Sequence, residues 1–239
     1  MWKPLIRVCA CASVLALLSG CGGGSGTAQT PQNTDERITS ANQANFSTDA
    51  IVLAERAADG PWLSAGMAAM FDADLARIRK AYSQVAGIHA REDYARSELL
   101  VGLQPTAPWT QMWMTGHIPT GVASVDSVTS TYGATTVQYM SLMSYSLKFN
   151  APLNMRAVAS LLKASSSEIA YAEPDGSLGD GDNISFEQAG GQKKYNLSHG
   201  WGDCIGGCIS HHVWTFTFAD GTITLQESGP PIPADGGRP

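Results

Sequence analysis

The chain has 239 residues, of which 44% are hydrophobic and 15% are charged, and its formal net charge is −6 at pH 7. This apolar content excludes a disordered chain and is enough for one large domain or two small ones. The acidic balance, without any block of basic residues, argues against a nucleic-acid partner.

The N-terminus has the pattern of a targeting segment. Lys3 and Arg7 precede an apolar run from Val8 to Leu18, which is followed by Ser19-Gly20-Cys21. The run has the length of a signal-peptide hydrophobic region and is too short for a comfortable permanent membrane span. We therefore expect residues 1–20 to be a signal peptide.

The ending Leu18-Ser19-Gly20-Cys21 resembles the lipobox of bacterial lipoproteins, in which signal peptidase II cuts before a lipid-modified cysteine. The resemblance implies that Cys21 carries acyl chains such as palmitate and anchors the protein to a membrane. Several chains are needed, because a single one gives only marginal binding. Gly22 stands where inner-membrane lipoproteins of enteric bacteria carry Asp, so the expected location is the cell envelope, in the periplasm and anchored to the outer membrane by lipid.

A tether and a helical region follow the anchor. Residues 21–47 are rich in Gly and Ser and then in Gln and Asn, which predicts a flexible tether. Residues 48–96 are predicted to be helical, with Asp49 as a capping residue. Apolar side chains in this region recur at spacings of three and four, which indicates a core-facing stripe: Met67, Met70, Phe71, Leu75, Ile78 and Tyr82.

Residues 97–175 alternate strand and helix patterns. The predicted order is a strand at 99–103, a helix at 122–132, strands at 135–140 and 145–149, a helix capped by Asn154 and a last strand at 169–172. This β-α-β-β-α-β order predicts a ferredoxin-like split βαβ fold, an antiparallel sheet with both helices on one face. The expected fold class of the chain is therefore α+β.

The start Leu100-Val101-Gly102-Leu103 and the end Ile169-Ala170-Tyr171-Ala172-Glu173-Pro174-Asp175 resemble the propeptide, or inhibitor, domain of subtilisin-type proteases. In that family the sheet packs on the protease and the segment after the last strand enters its active site. The resemblance implies that Glu173, Pro174 and Asp175 contact a protease. Here Asp175 leads into further folded sequence instead of a protease domain, so shared architecture is the first expectation and inhibition in trans the alternative.

A Gly/Asp-rich stretch occupies residues 176–192 and is predicted to be a solvated loop. Its acidic residues include Asp180 and Asp182, which invite a comparison with calcium loops. The EF-hand pattern requires Asp or Asn at its fifth position, where this sequence has Ile184, so no calcium site is predicted.

Residues 193–239 are predicted to form a β module. Strands at 194–197, 215–218 and 222–225, the last two joined by an Asp220-Gly221 turn, make a three-stranded meander. The segment from Trp201-Gly202-Asp203-Cys204 to Cys208 resembles a pattern in uncharacterised bacterial secreted proteins and lipoproteins. That resemblance implies no activity.

Cys204 and Cys208 are predicted to form a disulfide, because they are an even pair in an oxidising compartment. The alternative is a metal site, in which the two thiolates are joined by His199 and by either His211 or His212. Adjacent residues of a strand point to opposite faces, so at most one of His211 and His212 can join His199. A redox-active pair is a third reading, but the CxxC spacing at a helix start is missing.

No motif in the chain predicts catalysis. His199 and Asp203 can be written into a Ser-His-Asp set on paper, but triads are defined by geometry and no nucleophile motif accompanies them. The expected function is therefore a non-catalytic envelope lipoprotein, without a cofactor, that presents a binding surface to an envelope protein. The alternatives are a trans inhibitor or folding helper of a subtilisin-like protease, and a metal site on the Cys/His loop.

Overall fold

The computed structural model describes residues 36–177, 179–234 and 236. The predicted signal peptide, Cys21 and the tether up to residue 35 lie outside the described residues. Within the described part, five α-helices span Thr48–Arg56 (α1), Ala65–Ala81 (α2), Thr110–Met114 (α3), Ala123–Thr131 (α4) and Met155–Ser165 (α5). None of these helices is long and apolar enough to cross a membrane.

The strands form two antiparallel sheets. The first sheet comprises Tyr94–Leu103 (β1), Ala134–Ser141 (β2), Ser144–Phe149 (β3) and Ile169–Gly176 (β4). The second sheet comprises Asn183–Ala189 (β5), Gln192–Trp201 (β6), Ser210–Ala219 (β7) and Thr222–Ser228 (β8). The mixed α+β class predicted from the sequence is confirmed.

The first sheet has the strand order β2-β3-β1-β4, and every neighbouring pair is antiparallel. Helix α4 lies between β1 and β2 in the chain and α5 between β3 and β4, which is the predicted split βαβ arrangement. Leu99 and Val101 of β1 share a core with Val158 and Leu162 of α5. As predicted, Asn154 caps α5: its Oδ1 accepts a hydrogen bond from the Ala157 N–H at 3.2 Å.

The second sheet has the order β5-β6-β7-β8 and is covered by the two N-terminal helices. Phe71 of α2 is fully buried, and its ring lies 4.8 Å from that of Phe186 and 6.3 Å from that of Tyr195. The buried Asp74 carboxylate accepts a hydrogen bond from the Tyr195 hydroxyl at 2.7 Å, across 121 residues of sequence. The helical region and the C-terminal β module, predicted as separate segments, therefore share one core.

Several local predictions differ from the structure. Residues 36–47 are predicted to belong to the tether, but Ile38 is fully buried and its N–H donates to the Leu63 carbonyl at 2.9 Å. The predicted 176–192 loop contains β5, because Ile184 and Phe186 pack into the core at a spacing of two residues. The predicted three-stranded meander therefore has a fourth strand.

Helix α1 is capped by Ser47, whose Oγ accepts from the Ala50 N–H at 3.1 Å, and the prediction that Asp49 caps it is wrong. Asp49 is buried within the first turn of α1, where its carboxylate accepts from the Ala90 N–H at 2.7 Å and from Arg79 at 2.6 Å. A buried carboxylate needs such partners, so Asp49 fixes the chain after α2 against α1.

A single buried carboxyl group connects α1 to the helical layer of the first sheet. The Met155 N–H, at the start of α5, donates to Glu55 Oε1 at 3.3 Å. Burial raises the pKa of Glu55 to about 7, outweighing the Met155 N–H and the Arg96 charge, which favour the ionised form. The junction between the two sheets therefore contains a group that titrates near neutral pH.

Candidate functional site

One end of the first sheet exposes an unusual amount of apolar surface. Six large hydrophobic residues are exposed there, on α3, on the β2–β3 hairpin and on β4: Met112, Met114, Tyr139, Met140, Leu142 and Tyr171. We call this surface the apolar tip. Exposed apolar side chains grouped at one end of a sheet are typical of an interaction site.

The apex of the apolar tip is a two-residue turn with an unfavourable sequence. Leu142 and Met143 connect β2 to β3 and have φ angles of +47° and +65°. Hairpin turns of this kind normally use Asn-Gly, Asp-Gly or Gly-Gly, and the left-handed conformation costs other residues roughly 1–2 kcal/mol each. The Leu142 side chain is 91% exposed, so burial within this chain does not compensate that cost.

The apolar tip rests on a rigid aromatic base. Trp113 is fully buried, donates its indole N–H to the Ile118 carbonyl at 3.0 Å and lies edge-on to Tyr145, with ring centroids 5.6 Å apart. Tyr145 in turn contacts the exposed Tyr139 ring at 5.5 Å. The turn itself is held because the Leu103 N–H donates to the Met143 carbonyl at 2.9 Å.

Tyr171 lies across β1 on the opposite face of the same end of the sheet. A Cβ atom on Gly102 would stand 2.0 Å from the Tyr171 ring, so only glycine permits this placement. The Tyr171 hydroxyl reaches Ser144 Oγ, at the start of β3, at 2.7 Å. The apolar tip thus presents apolar side chains on both faces of the first sheet.

The residues that the propeptide resemblance assigns to protease contact lie on an edge strand. Glu173, Pro174 and Asp175 are in β4, which pairs only with β1 within its sheet. The segment after β4 is bonded to the body of the protein. The Ser177 N–H donates to the Asp93 carbonyl at 2.9 Å, and the Asp180 N–H donates to the Cys204 carbonyl at 2.7 Å.

A second exposed apolar feature is the disulfide loop. Cys204 and Cys208 form the predicted disulfide between β6 and β7. The neighbouring Ile205 and Ile209 are 88% and 78% exposed. The Cys208 N–H donates to Asp180 Oδ2 at 3.2 Å, so the loop is also fixed by a side chain that precedes β5.

Each histidine near the loop pairs with a different carboxylate. His199 contacts Asp182 at 2.6 Å, His211 contacts Asp180 at 3.1 Å, and His212 contacts Glu227 at 3.3 Å: three separate ion-pair geometries. His199 therefore pairs with Asp182 and not with Asp203.

The β6–β7 register decides which histidine lies near the disulfide. His199 is opposite His212 in the register, on the face that also carries the buried Leu197, whereas His211 is opposite Gly200 on the other face. The structure therefore does not bring His199 to the sulfur atoms. Ligand atoms of Asp180, Cys208 and His211 instead lie within 4.8 Å of one another.

Asp180 is the residue that sequence reasoning missed at this place. Its pKa is lowered, first by the Gly181 N–H that donates to it at 2.8 Å and then by the Cys208 N–H and the positive charges of His211 and Arg91. The only sequence signal was its place in the Gly/Asp-rich stretch. Nothing in that pattern pointed to Cys208, because the contact depends on the pairing of β5 with β6.

Comparisons with protein-family models, with curated proteins and with solved structures found no match to this chain. The two features of the described structure that point to a function are therefore the apolar tip and the disulfide loop.

Proposed function

We propose that this protein is a lipid-anchored, non-catalytic protein of the bacterial envelope that presents the apolar tip to a protein partner. The observation that carries the proposal is Leu142, a 91% exposed leucine in a backbone conformation that disfavours it. Unfavourable conformations of this kind concentrate at functional sites, where a partner compensates their cost. Lipidation of Cys21 and an outer-membrane location are part of the proposal.

The chemistry of the apolar tip favours a protein partner over a lipid surface. Methionines and tyrosines adapt to an irregular apolar partner surface and are enriched at protein interfaces. The net charge of −6 opposes adsorption to anionic lipids, which attract basic segments. The partner surface we expect is an apolar groove that receives the hairpin apex.

The proposed tether sets the reach of this surface. From Cys21 to residue 35, a chain of about 15 residues extends at most roughly 50 Å at about 3.3–3.6 Å per residue. A partner within that distance of the membrane surface is accessible to the apolar tip. We therefore expect an envelope protein as the partner.

Site-specific photo-crosslinking in cells tests the proposal. A photoreactive residue at Leu142 of the full chain is compared with one at Asp220, which occupies the equivalent β7–β8 turn with φ of +49°. We expect a discrete protein adduct from position 142 that is missing from position 220. The same adducts from both positions, or none from position 142, would contradict the proposal.

The second candidate is a trans inhibitor or folding helper of a subtilisin-like protease, and the split βαβ topology with Glu173-Pro174-Asp175 in its last strand supports it. The hydrogen bonds of Ser177 and Asp180 weigh against it, because the following segment must leave the body to enter an active site. Initial rates of subtilisin-type proteases test this candidate. Stoichiometric inhibition that Glu173→Ala weakens would support it, and an intact chain that leaves the rates unchanged would exclude it.

A further inference from the structure

We propose that the Cys204–Cys208 loop is a redox-gated metal site, closed as a disulfide and able, once reduced, to bind a zinc-like divalent cation. The ligands would be both cysteine sulfurs, His211 Nε2 and an oxygen of Asp180. This inference is independent of the protein-binding function, because the loop belongs to the second sheet and the apolar tip to the first.

Three of the four proposed ligands already lie close together. His211 Nε2 and Asp180 Oδ2 are 3.1 Å apart, and ligand atoms of Asp180, Cys208 and His211 all lie within 4.8 Å of one another. A tetrahedral zinc ion with bonds of about 2.0–2.3 Å places neighbouring ligand atoms roughly 3.3–3.8 Å apart. The fourth ligand, Cys204 Sγ, is bonded to Cys208 Sγ in the disulfide and must separate from it on reduction to bind the same ion.

Gly200 leaves the space that the site needs. It lies opposite His211 in the β6–β7 register, and a Cβ atom there would stand 2.7 Å from Cys208 Sγ and 2.9 Å from His211 Nε2. Any larger residue would push the sulfur and the imidazole apart. The absence of a side chain at this position keeps the two ligands adjacent.

Hydrogen bonds keep the cysteines near Asp180 independently of the sulfur–sulfur bond. The Asp180 N–H donates to the Cys204 carbonyl at 2.7 Å, and the Cys208 N–H donates to Asp180 Oδ2 at 3.2 Å. The Arg91 guanidinium, 3.3 Å from Asp180 Oδ1, orients the carboxylate and offsets negative charge. Such outer contacts are typical of metal ligands.

The chemistry balances with a dithiol or phosphine reductant. A dithiol reductant gives two electrons and two protons and becomes a disulfide, while the Cys204–Cys208 bond breaks to give two thiols. A phosphine attacks one sulfur and breaks the same bond, and water then releases that sulfur as a thiol, so that phosphine oxide and two thiols result. The cation then displaces both thiol protons and the proton of a charged His211 to solvent, and binds two thiolates, neutral His211 and the Asp180 carboxylate.

Zinc titration of the full chain tests the inference. The protein carries Cys9→Ser, Cys11→Ser and Cys21→Ser, so that Cys204 and Cys208 are its only cysteines. It is reduced with a phosphine under anaerobic conditions. It is then titrated with Zn²⁺ in the presence of a chromogenic chelator that competes for the ion. We expect one ion per reduced chain and none per oxidised chain.

Two histidine variants provide the matched comparison. His211→Ala removes a ligand and should weaken binding at least about tenfold, whereas His212→Ala changes the adjacent residue on the opposite face and should leave it unchanged. Equal affinity of the two variants, or no binding by the reduced parent chain, would overturn the inference. Co²⁺ in the parent chain adds an independent readout: thiolate charge-transfer and tetrahedral d–d bands are expected, and an octahedral spectrum would contradict the site.

Discussion

The two sheets close their two-residue hairpins with the same backbone conformation and very different residues. In the second sheet the turns are Gly190-Gly191, with φ of +58° and +79°, and Asp220-Gly221, with +49° and +77°. In the first sheet Leu142-Met143 adopts +47° and +65°. The second sheet follows the usual chemistry of these turns, and the first does not.

The difference teaches that the β2–β3 turn is not optimised for folding alone. Glycine and aspartate tolerate left-handed backbone, whereas leucine and methionine do so at a cost. Departures from local rules are expected at functional sites, where another requirement competes with stability. Under the proposed function, the competing requirement is an apolar, exposed side chain at the apex of the hairpin.

The sheets also differ in how their cores are assembled, and Phe71→Ala should show this most strongly. Phe71 of α2 is fully buried against the second sheet, so its removal should cost about 3–5 kcal/mol. Hydrogen exchange should show lost protection in β5–β8 before β1–β4. Lys80→Ala, an exposed change on the same helix, should stay within about 0.5 kcal/mol. Unchanged protection of β6 and β7 in Phe71→Ala would contradict the shared core.

The junction between the sheets should depend on pH through Glu55. Its pKa is about 7 in the folded chain and about 4.5 when unfolded, so the folded state binds the extra proton between these values. The contribution of Glu55 to stability is then complete below about pH 4.5 and is lost, on the order of 3 kcal/mol, as pH rises through 7. Urea unfolding at several pH values should show this decrease, and Glu55→Gln should flatten it. The exposed Glu187→Gln is the control, and an unflattened profile in Glu55→Gln would exclude Glu55 as the source.

The disulfide should stabilise the second sheet by a smaller amount. Cys204 and Cys208 are four residues apart, and closing so short a loop is worth about 2 kcal/mol. Replacing both with serine should lower the free energy of unfolding, measured by urea unfolding, by that amount and reduce protection in β6 and β7. An equal loss of protection in β2 and β3 would show that the effect is not local.

Exchanging the hairpin turns between the sheets sharpens the comparison directly. Leu142→Asn should raise the free energy of unfolding by about 1 kcal/mol, because asparagine suits left-handed backbone and Leu142 is 91% exposed. Met143 is kept, because it packs against the core of the first sheet. The reciprocal Asp220→Leu, at an exposed position with φ of +49°, should lower the free energy of unfolding by a similar amount. Thermal and urea unfolding measure both, and a loss of stability in the first variant would contradict the account.

The first sheet was predictable because its signals are local. Each crossover contains its own helix, and the predicted cap Asn154 is found at the start of α5. The core of the second sheet was not predictable in the same way. The contact between Asp74 and Tyr195 spans 121 residues, and no pattern within either segment records it.

The candidate sites also differ in whether local sequence signals predict them. The disulfide followed from cysteine number and compartment, and it is confirmed. The apolar tip is not predictable from the sequence for two reasons. Leu142-Met143 is not one of the residue pairs that normally indicate a hairpin turn, and the exposure of these side chains depends on tertiary packing. Asp180 was assigned to a solvated loop, since only the β5–β6–β7 register brings it to Cys208 and His211.

The most direct test of the central claim combines crosslinking with the turn exchange. A photoreactive residue at the exposed Met140 reports partner contact in cells, in the parent chain and in the Leu142→Asn variant. The account predicts a discrete protein adduct in the parent chain that is lost in the variant, although the variant is the more stable protein. An undiminished adduct in the variant would contradict the claim that the apolar turn is kept for a partner.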